Sequence, residues 1–271
     1  MPVGQRGRCP LGLKSAHDNN NFPTPLITLK TSESILSQSM NSHSERVAGL
    51  AFLPIVVTGG FYILPLHWQS NVSIQFIPQM CAYLVLGLWA FQNTNRIAKL
   101  GLEPHKVGPG LQWGIVTGIL LGGINSLLII FLIPALGGNI EFLRDTPHAQ
   151  IPFLIMVPWF ILCIACAVEL NFRGFILGRL LTVCVTFVNQ HHLPTPTLLR
   201  LGIFLPLLLS ALSFSFDPFM VATFGDLHWI AVWDGLIWGW MWIRMTNLYA
   251  VIIAHAVEVL ILYLTVRAAL L

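Results

Sequence analysis

Glu169 and Arg173 lie four residues apart in an apolar stretch. On a helix this spacing puts both on one face with the acid N-terminal to the base, the order that favours a carboxylate–guanidinium pair. His255 and Glu258, three apart in a second apolar stretch, also share a face. Packed against each other, the two helices would bring two carboxylates, an arginine and an imidazole together in hydrocarbon. Such a polar cavity has acid–base capability and needs water. A third group, Asp226, His228 and Asp234, flanks the start of another apolar stretch. A charge at bilayer depth costs at least about 2.5–3.5 kcal/mol and marks a pathway or a reaction site. The plain structural alternative for the 169/173 pair is a staple between helices.

The elements that must carry these groups follow from composition. Of 271 residues, 55% are apolar and 9% are charged, with a mean hydropathy of +0.75. A soluble domain carries about a quarter charged residues, so this surface faces lipid. The sequence predicts an all-α, polytopic transmembrane bundle of seven or eight helices. Apolar runs near the roughly 20 residues a bilayer requires fall at about 51–66, 74–91, 112–136, 151–176, 198–216, 227–243 and 248–266. The short run 180–190 reads as an interfacial segment or an eighth span. Residues 1–48 read as a disordered polar tail without a secretory h-region. Residues 49–149 form an N-terminal set of spans and 150–271 the membrane-embedded core. Met40 precedes the first span as an alternative start.

The Lys and Arg distribution places the tail and the 93–110 loop in the cytoplasm, in a multi-pass membrane protein. With 14 basic and 11 acidic side chains spread along the chain, no dense basic face exists, and nucleic acid is excluded as a partner. The lipid bilayer is the first partner implied. Five cysteines, four in apolar runs, read as buried thiols, and Cys163-x-x-Cys166 as packing rather than a redox or zinc motif. Gly110, Gly114, Gly118 and Gly122 form one helical stripe, read as close packing within the chain in preference to a dimer face; Gly235 and Gly239 repeat the device. Trp68, Trp229, Trp233, Trp238, Trp240 and Trp242 read as interfacial aromatics. His191 and His192 read as solvated loop residues, and Asp234 as a partner of Arg244 or a helix cap.

The run Val168-Glu-Leu-Asn-Phe-Arg-Gly-Phe175 resembles the first motif, EExxxR followed by Gly-Phe, of the CPBP intramembrane proteases, the CAAX prenyl endopeptidase and bacteriocin-processing (Abi) group. Thr246–Ala256 is similar to the last motif, which opens with the histidine of HxxxN or HxxxH. The resemblance covers about 150–270. It implies a helical bundle in which a glutamate activates a water for attack on a peptide bond of a membrane-associated protein or peptide, while histidines and an asparagine hold the water and the oxyanion. By that resemblance Glu169 is the general base or its support, Arg173 its charge partner, and His228 and His255 the water and oxyanion ligands. No cofactor is assigned, and HExxH is absent, so a thermolysin-like zinc site is not supported.

The pattern breaks at two places. Val168 stands where the first glutamate belongs, and Val259 stands four after His255, where Asn or His is expected. Glu258 is one residue short of that position, about 100° round the helix. For the middle motif, FxxxH, both Phe224–His228 and the 210–218 run ending in Asp217-Pro218 remain open. Sequence topology puts Glu169 near the inner face and His228 near the outer, apart unless 217–230 folds back. These departures motivate a second class, a catalytically impaired family member acting as a membrane scaffold, chaperone or partner-binding protein. A third, a solute carrier, lacks the internal repeat such proteins show.

Overall fold

The computed structural model describes residues 45–190 and 196–271; the proposed tail up to residue 44, Cys9 and the His191–His192 pair lie outside the described residues. Among the described residues there is no strand, and the chain is an all-α bundle. The main helices are α1 (Ala48–Phe61), α2 (Val72–Gln92), α3 (Val107–Leu127, prolonged to Ala135), α4 (Phe153–Val188), α5 (Pro196–Ser215), α6 (Pro218–Phe224), α7 (Ile230–Met245) and α8 (Leu248–Leu270). The stretches Val72–Gln92, Arg96–Ala135, Phe153–Val188 and Leu248–Leu270 are each long and apolar enough to cross a membrane. Arg200–Ser215 and Pro218–Met245 qualify as a pair bent by 55°. This is a membrane protein.

The boundaries differ from the sequence reading in two places. The 180–190 run is neither an interfacial segment nor a separate span but the continuation of α4, which at 36 residues is about 54 Å long. The first expected span is a shorter helix, α1.

The glycine stripe sets the close contact between α3 and α8. A Cβ on Gly114 would lie 2.6 Å from Cβ of Ile253, and one on Gly118 would lie 2.6 Å from the Ala254 carbonyl oxygen. The pairing rises in step, Gly110 with Tyr249 and Gly122 with Ile261, so the two helices run parallel. Their register is fixed where both begin. The Asn247 side chain caps α8 by accepting from the Tyr249 and Ala250 amides, while its Nδ2 donates to the Lys106 carbonyl at 2.8 Å. Lys106 Nζ returns a bond to the Thr246 carbonyl at 2.8 Å. The stripe therefore serves packing within the chain. The second device works likewise: Gly235 meets Ala211 and Gly239 meets Leu207, which makes α5 and α7 antiparallel.

Between them the chain turns at Asp217, whose carboxylate accepts from the Phe219 and Met220 amides to start α6 and from Gln79 Nε2 at 2.9 Å. The main apolar core joins Trp89, Phe172, Phe175, Leu177, Leu207, Phe214, Trp238 and Val251 from α2, α4, α5, α7 and α8.

The cysteines correct the sequence reading. Cys163 and Cys166 are exposed on α4, and Cys81 and Cys184 are half-buried, all with free thiols. In a span, lipid is as apolar as the core, so hydropathy does not separate an outward thiol from an inward one.

Candidate functional site

α4 is not a regular α-helix around Glu169. Met156–Cys163 and Leu170–Leu177 are π-helical, with Ile164–Glu169 as α-helix between them. Wide turns of this kind recur at functional sites because they leave backbone groups and side chains re-aimed. Here the Ser210 hydroxyl on α5 donates to the Phe172 carbonyl at 2.8 Å, tying the widened turn to its neighbour.

Glu169 and Arg173 are both wholly buried, with Nη1 of Arg173 3.0 Å from Oε1 of Glu169. The same carboxylate oxygen lies 2.7 Å from Nδ1 of His255. Three of the four site residues expected from sequence therefore converge, from α4 and α8. Arg173 carries its charge among aromatic rings: its guanidinium sits 4.5 Å from the Phe214 ring centre and 5.1 Å from that of Trp238. Those faces cover a guanidinium whose Nε and Nη2 have no oxygen partner. Gly235 makes room for it, since a Cβ there would stand 3.2 Å from Nη2.

Trp238 also stacks on the His255 imidazole, with ring centres 4.5 Å apart and planes inclined by 19°. Phe214 meets the same imidazole edge-on. Trp238 is thus not an interfacial residue but part of the site, and Trp242 is buried in the apolar core, whereas Trp229 and Trp240 are exposed as expected.

Beside this cluster lies a cavity of about 100 Å³, room for several waters. His255, Glu258, Asp234, His228 and Thr146 supply its polar wall, and Phe214, Met220, Leu227, Val259, Leu262 and Val266 much of the rest. His255, Val259, Leu262 and Val266 form a stripe along α8, so the α8 side of the cavity is polar at its His255 end and apolar beyond it. Glu169 itself is not on the wall.

His228 and His255 border one cavity, so the bent segment from Pro218 to Trp229 brings His228 to the same pocket as His255. His228 is tied locally, its Nδ1 2.8 Å from the Gly225 carbonyl oxygen, with its ring against Phe216. Asp217, the other middle-motif candidate, serves as the helix cap described above and is not on the cavity wall.

One participant escaped the sequence reading. Asn125 of α3, wholly buried, points its amide at two carboxyl groups. Its Nδ2 is 2.6 Å from Oε1 of Glu258 and 3.1 and 3.2 Å from the two Asp234 oxygens. Asp234 is thus not paired with Arg244, whose guanidinium lies over Trp240. Among the described residues, no three His, Cys, Asp or Glu side chains are grouped to hold a metal ion.

The chain matches no protein-family model, no curated protein and no solved structure. Fold and site together define a polytopic α-helical membrane protein with a buried, water-sized polar site at the junction of α3, α4, α7 and α8.

Proposed function

We propose that the chain is a membrane-embedded endopeptidase of the CPBP kind, which hydrolyses a peptide bond of a membrane-associated protein or peptide with an activated water. The observation that carries this reading is the 2.7 Å contact between Glu169 and His255 at the edge of a cavity with further acidic side chains on its wall. A carboxylate bonded to one ring nitrogen fixes the tautomer and orientation of an imidazole. Nε2 of His255 is then the nitrogen free to face the cavity, where its lone pair accepts a hydrogen bond from the water. Glu169 is a positioning residue in this geometry, and Arg173 bonds the same carboxylate oxygen. His228, across the cavity, contacts the bound peptide. The Lys- and Arg-rich loops support an orientation with the 93–110 loop inside, and a bacterial-type cytoplasmic membrane goes with the CPBP reading.

The test is cleavage of an internally quenched library of membrane-soluble peptides by the purified protein in detergent. We expect wild type to cleave, and His255→Ala and Glu169→Gln to lose turnover by on the order of 100-fold or more with melting preserved. Turnover that survives His255→Ala overturns the reading.

Val168 and Val259 favour a second reading, a catalytically impaired relative that binds a partner. Val168 packs against the apolar core, and Val259 lines the cavity where a polar ligand was expected. A wild type inactive across the library supports this alternative.

A further inference from the structure

We infer that Asp234 and Glu258, bridged by Asn125, form the acid–base pair that activates the water in this cavity. The inference rests on the hydrolase reading above, and it supplies the group that Val168 leaves missing.

The two carboxyl groups come from α7 and α8, and both border the cavity, whereas Glu169 does not. One amide nitrogen, Nδ2 of Asn125, reaches an oxygen of each, 2.6 Å from Glu258 and 3.1 Å from Asp234. Two carboxyl groups held this close and out of water do not both ionise, and in this proposal they share one proton and one negative charge. Asn125 has no charge to contribute, yet its one amide donates to both partners and locks their separation. A pair built only to join helices would have its oxygens consumed. Oε2 of Glu258 instead has no protein partner, although the residue is 98% buried on the cavity wall (2% exposed). An unmet acceptor at such a depth is costly unless water or substrate meets it. The charged and titratable groups around the pair are Arg173 and Glu169 from α4 and His255 from α8, with His228 farther along the cavity.

The reaction balances on this pair alone. The ionised carboxylate takes a proton from water as the oxygen bonds to the peptide carbonyl carbon. The protonated partner gives its proton to the carbonyl oxygen, which leaves a neutral gem-diol and the pair again with one proton. In the second half, one gem-diol hydroxyl returns its proton to the carboxylate. The C–N bond breaks as the other carboxyl protonates the leaving nitrogen, and the pair is restored. His255, oriented by Glu169, hydrogen-bonds the gem-diol meanwhile.

The test measures pH–rate profiles on the best peptide from the quenched library for wild type, Asp234→Asn and Glu258→Gln. We expect kcat to fall by on the order of 100-fold or more with KM little changed, and the limbs of the bell-shaped profile to be lost. If wild type cleaves and both variants keep its turnover and profile, this inference is overturned and the hydrolase reading stands. If wild type does not cleave, both fall. Difference infrared spectroscopy of the resting wild type provides a readout independent of turnover: a protonated-carboxyl stretch that either substitution removes supports the pair. Its absence from wild type overturns the pair even if both variants fail to fold.

Discussion

The imidazole of His255 and the carboxylate of Glu169 lie 2.7 Å apart although 86 residues separate them, and the oxygen that joins them also holds Arg173. An ion pair this deep repays its desolvation only while both charges remain. We therefore expect Arg173→Met to lower stability by about 3–5 kcal/mol, read from melting of the protein in detergent. The double variant Glu169→Leu with Arg173→Met recovers much of that loss, because no lone charge is left behind. Equal melting of the single and double variants would show that the charges are not coupled.

The parallel contact of α3 and α8 depends on bare backbone. Gly118→Leu forces a side chain onto the Ala254 carbonyl and Val257, and a loss of about 1–3 kcal/mol is expected. Gly123, on the same helix, has open space at its Cβ position. Gly123→Ala should leave melting unchanged or raise it by up to about 1 kcal/mol. A Gly118→Leu protein that melts like wild type would mean that α8 does not sit on this stripe.

Much of this was readable in the sequence. The four-residue glycine period, the 169/173 spacing and the 255/258 spacing are local patterns, and α3, α4 and α8 carry them as read. What was not readable depends on meetings between distant elements. Asn125 is an uncharged residue in an apolar run, and nothing local distinguishes it from a satisfied polar side chain. Its partners lie 109 and 133 residues away. The true length of α4 was hidden by Arg179, whose charge interrupts the hydropathy of the run. That charge is in fact buried against Glu45 and Trp89.

That second buried cluster pins the start of the described chain. Oε1 of Glu45 lies 2.6 Å from Nε of Arg179 and accepts from Trp89 Nε1 at 2.7 Å, while the guanidinium lies 4.3 Å above the Trp89 ring. Glu45→Ala strands Arg179, and a loss on the order of 3 kcal/mol is expected, again by melting. Glu45→Gln, which keeps the bond from Trp89, should lose less.

Asp217 is a structural cap in this geometry. Asp217→Ala removes the acceptor for two α6 amides and for Gln79, at a cost of about 0.5–2 kcal/mol. Asp217→Asn keeps the cap and should leave peptide cleavage at the wild-type rate. A large fall in turnover for the Asn variant, with melting intact, would assign Asp217 a part in the chemistry.

The π-helical turn from Leu170 to Leu177 has a consequence for how this chain tolerates changes of length. A π turn is an α-helix that has absorbed one extra residue in a widened turn, so taking a single residue out there would tighten the turn to ordinary pitch while the helix beyond it keeps nearly its place. Arg179 would then keep its acid, and only side chains inside the widened turn would be re-aimed. In an ordinary helix a one-residue deletion rotates everything beyond it by about 100°; here the loosest turn is the one that would absorb the loss.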